Sequence, residues 1–155
     1  MESKLISHID QFLADSPYYA AMFLVQPKMA KLREAAVLIH QHYNWPHLSL
    51  NHKLSDALQN MPPEKRQLEI PHILTEMIYN HGDGPLLCTD ITLLFEPDFQ
   101  LDPLQLFLTA SKTTCLIISW PGSYQNKRLA YAVPDHAHYR VWTTSDLCHY
   151  CTLFL

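Results

Sequence analysis

Two apolar runs stand out along the chain, residues 86–95 (Leu-Leu-Cys-Thr-Asp-Ile-Thr-Leu-Leu-Phe) and residues 114–120 (Thr-Cys-Leu-Ile-Ile-Ser-Trp). Both are strand-length, rich in β-branched and aromatic residues, and almost free of charge. Runs without polar alternation predict strands buried on both faces, as in parallel sheets covered by helices. Elsewhere apolar positions recur at helical spacing. Residues 3–14 read as a helix through Leu5, Ile6, Ile9, Phe12 and Leu13, broken by Ser16-Pro17. Residues 18–25 read as a strand, and residues 28–42 as a helix with Met29, Leu32, Ala36 and Ile39 on its apolar face. A short strand at 47–50 and helices at 54–61, with Ser55 as a cap, and at 68–80 follow, the first closed by Pro62-Pro63.

The turn-forming stretch His81-Gly82-Asp83-Gly84-Pro85 precedes the first apolar run. Asp102-Pro103 then opens a helix, with the acid as N-cap and proline at the first helical position. Pro121-Gly122 stops the second run. Residues 128–133 and 139–143 read as short strands, and the apolar tail 147–155 as a closing strand or helix. This alternation predicts one α/β domain over residues 1–155, a mostly parallel sheet flanked by helices, with an N-terminal helix within 1–16 and an apolar tail at 144–155.

The 155 residues carry 48% hydrophobic and 17% charged side chains, a globular balance, and the size suits one domain. The net charge is −4, and basic residues are scattered apart from the group Lys28, Lys31 and Arg33. No overall positive field draws in nucleic acid, so autonomous DNA binding is disfavoured. No stretch approaches the length of a membrane span, and residues 1–15 lack the apolar core of a secretory signal. Cys88 and Cys115 fall inside the two apolar runs, where thiols act as small hydrophobes. The expected compartment is the cytoplasm.

A strand, a loop, a helix and later an apolar strand with an acid follow the plan of a P-loop NTPase. Such a loop needs glycines to wrap backbone N–H groups round phosphate, a lysine for the β/γ-phosphates, and Ser or Thr for Mg²⁺. The junction here reads Gln26-Pro27-Lys28-Met29-Ala30-Lys31-Leu32, and the chain's three glycines all lie at or beyond position 82. Proline removes a donor where donors are needed. Counted from Gln26, Lys31 stands one residue too early, and Leu32 cannot ligate a metal. Lys28, Lys31 and Arg33 then read as the solvated first turn of an amphipathic helix, with weak anion binding at its N-terminus left open. Asp90 has two readings. It holds Mg²⁺, or it serves the structure by capping the strand end or pairing with Lys31; the lack of a second acid nearby favours the latter.

Three stretches within residues 85–142 carry a resemblance. They are Leu93-Leu94-Phe95 with Pro97 and Leu101-Asp102-Pro103-Leu104; Ser119-Trp120-Pro121-Gly122; and Arg128-Leu129-Ala130-Tyr131-Ala132 with Pro134, His136 and Tyr139-Arg140. Together they resemble the BrxF family, small P-loop-containing proteins of type 3 BREX (bacteriophage exclusion) defence systems. The first half matches in layout only, including residues 51–58 after the second strand. The resemblance implies a P-loop NTPase-like core of the RecA/AAA type with degenerate nucleotide motifs. Nucleotide-competent members carry a glycine-rich loop with Lys-Thr, an acid where this chain has Thr89, and Glu where it has Thr92. On that register Asp90 lies one residue past the metal position, where strand pleating turns it away from the site. On the simpler register of an apolar run ending in acid, Asp90 fits.

The function this implies is that of a non-catalytic accessory subunit of a BREX-like complex, needing no cofactor. It would act through contacts with a large BREX-type ATPase or with copies of itself. The alternative is a nucleotide-binding ATPase or switch that holds ATP and Mg²⁺ through Lys31 and Asp90 in an atypical loop. Cys148-His149-Tyr150-Cys151, with His136 and His138 upstream, invites a zinc reading, but one Cys-x-x-Cys lacks a matching second pair. No nucleophile elbow or Cys/His arrangement with an orienting acid is evident.

Overall fold

The computed structural model describes residues 2–144 and 147–155. Among them the chain runs α1 (Glu2–Asp15), β1 (Ala21–Val25), α2 (Met29–Tyr43), β2 (His47–Ser49), α3 (Leu50–Leu58), α4 (Pro63–Tyr79), β3 (Leu86–Thr89), α5 (Pro103–Ala110) and β4 (Leu116–Trp120). Strands β5 (Gly122–Gln125), β6 (Arg128–Tyr131), β7 (Arg140–Thr143) and β8 (Thr152–Phe154) complete it. A five-stranded sheet has the order β2-β3-β4-β1-β8, and every pairing in it is parallel. The α/β class and the parallel, helix-flanked sheet expected from the sequence are both present.

Strand pleating divides the core into two layers. Met22, Leu24, Leu87, Ile117 and Leu153 face α1 and α2, meeting Leu5, Ile9, Phe12, Ala35 and Ile39. Their neighbours Phe23, Val25, Cys88, Ile118 and Trp120 face the opposite way, onto α3, α4 and α5. Both faces are thus covered, which is why β1, β3 and β4 are buried at every position and show no polar alternation.

Several element boundaries differ from expectation. The first apolar run is a strand only through Thr89; Asp90 takes a left-handed conformation (φ 53), and Thr92–Phe95 continues as a 3₁₀ turn that buries Leu94 and Phe95. A buried turn and a buried strand present the same apolar signal. The strand expected at 18–25 covers only Ala21–Val25. Helix α3 starts at Leu50, directly after Ser49, so Ser55 lies within it and caps nothing. Pro63 begins α4, in the first-turn position where a missing N–H costs little, and Pro71 is carried inside that helix.

Strands β5, β6 and β7 form a separate antiparallel sheet. Here the three stretches behind the family resemblance converge. Trp120, fully buried, donates from Nε1 to the carbonyl of Ala130 at 3.0 Å. Its ring lies edge-on to Phe23, Phe95 and Trp142, and Phe95 stacks on Tyr131. Asp102 caps α5 by accepting from the Gln105 amide and also accepts from Trp142 Nε1 at 3.1 Å. Arg140 donates to the Leu101 carbonyl at 2.7 Å and lies over the Trp142 ring. These residues form a joint between the small sheet and the parallel sheet.

The tail forms a 3₁₀ turn and β8, so it closes the sheet as an edge strand beside β1. It also anchors α1. The His8 ring packs edge-on against Tyr150, with Nε2 3.2 Å from the Tyr150 carbonyl. Burial holds the His8 pKa below its ordinary value of 6.5. The unfolded chain therefore takes up this proton first as pH falls. The His8 contribution to stability should be intact above about pH 6.5 and be lost as pH drops toward the folded-state value. Urea titrations across that range should show the decline, and His8→Gln should flatten this part of it.

Candidate functional site

The register Ser49↔Thr89 and Cys88↔Ile118 sets Ser49, Thr89 and Ser119 level across three neighbouring strands, at their carboxyl ends. All three lie on the α2 side of the sheet. The chain leaves β1 over this face through α2 but leaves β2 and β3 over the other. A change of side at the carboxyl edge opens a crevice, where ligands of open α/β sheets bind. The crevice here is a cavity of about 330 Å³.

One wall of it is the stripe Met29, Leu32, Arg33, Ala36 and Val37, spaced as one face of α2. The other wall is made by His47, Thr89, Asp90, Ile91, Ser119 and Pro121. His47 Nε2 and Thr89 Oγ1 share a hydrogen bond of 2.6 Å. Ser49 Oγ donates to Asp90 Oδ2 at 2.7 Å. Ser119, 4% exposed, keeps a buried hydroxyl without a partner among the described residues. Leaving such a group unpaired costs about 1–3 kcal/mol.

The β1–α2 connection, the place a phosphate loop would take, consists of three residues, Gln26-Pro27-Lys28. Gln26 is buried and all of its polar groups are engaged. Its backbone N–H donates to the Trp120 carbonyl and its carbonyl accepts from Gly122, both at 3.2 Å. Its side chain donates to the Leu155 carbonyl at 2.6 Å and accepts from the Lys28 amide at 3.2 Å. The connection is pulled tight against β4 and the tail, with no arc of free N–H groups to surround a phosphate.

Of the two candidate nucleotide ligands, the structure places Asp90 at the cavity and Lys31 outside its lining. Lys31 is exposed on α2, and Arg33, two residues on, reaches the cavity instead. The expected pairing of Asp90 with Lys31 is replaced by the bond from Ser49. Because Asp90 sits beyond the strand, pleating does not decide its direction, and it lines the same cavity as Thr89. Asn51 holds this turn in place. Its amide N–H donates to the Asp90 carbonyl at 2.8 Å, Nδ2 donates to Thr92 Oγ1, and Oδ1 accepts from the Leu93 amide, each at 2.8 Å. Asn51→Ala should cost about 1–3 kcal/mol in chemical denaturation, since it strands the Leu93 N–H.

Cys148 and Cys151 are joined in a disulfide. Their surroundings include His8, Lys127 and His149, whereas His138 lines a separate depression with Arg140 and Glu96. The four side chains of the zinc reading are therefore not brought together, and no metal-holding group of three or more His, Cys, Asp or Glu occurs among the described residues. Burial pushes the Cys88 thiol up to about 12 and the Cys115 thiol up to about 11, so neither offers a thiolate at neutral pH.

His47, Ser49 and Ser119 are site residues that no motif in the sequence marks. Single polar residues at strand ends carry no pattern, and only the register brings them level. A polar residue in the otherwise apolar Leu-Ile-Ile-Ser-Trp run was the one available signal. Among the described residues no helix is long and apolar enough to cross a membrane. The chain matches no family model, no curated protein and no solved structure.

Proposed function

We propose that this chain is a non-catalytic accessory subunit of a bacterial anti-phage defence complex of the BREX type, acting in the cytoplasm through protein–protein contacts. In this reading its core is a degenerate P-loop ATPase fold of the RecA/AAA type. Its partner is a large BREX-type ATPase or another copy of the chain. The observation that carries the reading is the tight β1–α2 connection inside a sheet of the order β2-β3-β4-β1-β8. In both common doubly wound orders β1 lies beside β2; here it lies beside β4 and β8, which fits the core that the resemblance implies. The place of the phosphate loop is then occupied by Gln26, whose four hydrogen bonds serve the fold.

The joint at Trp120, Asp102 and Arg140 further supports a structural role for the stretches that carry the resemblance. A cytoplasmic setting would keep Cys148 and Cys151 mostly as a dithiol, because reducing pools there oppose disulfides. Affinity purification of the tagged chain from its own operon tests the proposal. The expected result is stoichiometric recovery of the operon's large ATPase, or of an untagged second copy. A monomer that retains neither would overturn it.

A further inference from the structure

We propose that the cavity between α2 and the carboxyl ends of β2, β3 and β4 is a binding site for a small, uncharged, flat and mainly apolar molecule. An aromatic or heteroaromatic ring bearing one hydrogen-bonding group fits this description. The inference does not rest on the partner proposed above.

Three observations converge on this chemistry. The first is an apolar majority in the lining: Met29, Leu32, Ala36 and Val37 from α2, with Ile91 and Pro121 opposite. Ligand pockets combine such walls with a few polar groups that fix orientation, and about 330 Å³ suits one small ring system. The second is the Ser119 hydroxyl, which lies on the cavity side of the sheet, buried and unpartnered. Thr89, its neighbour, is already bonded to His47, and Asp90 to Ser49. Ser119 is thus left to bond an incoming donor or acceptor. The Met29 thioether, with three rotatable bonds, is the element of the wall most easily displaced to admit one.

The third observation is charge. Arg33 and Asp90 bring opposite charges to the lining, so they do not sum to a field that selects an ion. A polyphosphate would meet Asp90 beside a single arginine, without the backbone cradle that spreads its charge. A slot between a helix and a sheet also favours a flat molecule over a branched one.

The probe is indole, whose N–H can donate to Ser119 Oγ, titrated into protein labelled with ¹³C at the methionine methyls. Met29 is the cavity's own methionine, while Met22, Met61 and Met77 pack in the cores. The expected result is a saturable shift of the Met29 methyl at millimolar indole, with the Met22, Met61 and Met77 methyls stationary. Ser119→Ala should weaken this binding about fivefold, the worth of one hydrogen bond. The same substitution should raise the melting temperature of the free protein, because an unpaired buried hydroxyl is removed. Ala36→Leu, which narrows the slot, should abolish the Met29 shift while leaving the Met22 resonance in place. An unmoved Met29 methyl, or an affinity unchanged in both variants, would overturn the proposal. Neither outcome bears on nucleotide binding or on the partner complex.

Discussion

Trp120→Ala is expected to lower the unfolding free energy by about 3–5 kcal/mol, the range for deleting a large buried aromatic. The indole is fully buried where the parallel sheet, the turn after β3 and the small antiparallel sheet meet. Its ring centroid lies 5.5 Å from that of Phe23, 5.0 Å from Phe95 and 5.4 Å from Trp142. Truncation opens a cavity shared by three elements that cannot all collapse into it, and it withdraws the N–H donated to Ala130. At this chain length each kcal/mol moves the melting temperature by about 2–4 °C, so a fall on the order of 10 °C is expected in a thermal scan. Trp120→Phe keeps most of the aromatic contact and loses the hydrogen bond, so it should cost about 1–2 kcal/mol. A loss below about 1 kcal/mol for the alanine variant would show that the joint is not part of the cooperative core.

Gly122→Ala is expected to destabilise by about 3 kcal/mol, at the upper end of the usual cost of overpacking. Gly122 pairs with Tyr131 across β5 and β6, and a β-carbon there would run into the Ala130 carbonyl oxygen. The obstacle is backbone, which cannot swing aside as a side-chain tip can. Relief would require β5 to move away from β6, against the hydrogen bond from the Gly122 amide to Gln26 and that from Trp120 to Ala130. The same denaturation assay applies, and a cost within 0.5 kcal/mol, about that of an ordinary surface change, would contradict this packing.

The two apolar runs made the parallel sheet legible because burial on both faces leaves a simple trace: no polar alternation. The same trace hid the turn at Asp90. Apolar residues continue past it, and nothing in Ile-Thr-Leu-Leu-Phe distinguishes a buried 3₁₀ turn from a strand. Pro62-Pro63 and Pro121-Gly122 do end the elements before them, at Leu58 and Trp120. The sequence shows only that half: Pro63 also begins a helix, and Gly122 begins a strand that only glycine can bring so close to β6. The lack of a glycine-rich phosphate loop was readable directly from Gln26 to Leu32. What replaces it was not, because the bonds of Gln26 reach Trp120 and Leu155. The cavity likewise joins one helix face to three strand ends that are scattered along the chain.

If the chain carries the proposed P-loop-like core, Gln26 closes its nucleotide site, and thermal unfolding with and without Mg-ATP decides the matter. A ligand that binds only the folded state at about 100 times its dissociation constant adds about 2.7 kcal/mol. That gain would amount to a shift of several degrees. With Gln26 sealing the β1–α2 connection and Lys31 outside the cavity, the expected result is an unchanged melting temperature at millimolar Mg-ATP. A rise that grows with nucleotide concentration, and is lost in Asp90→Ala or Lys31→Ala, would contradict the account and restore the alternative of a nucleotide-driven switch.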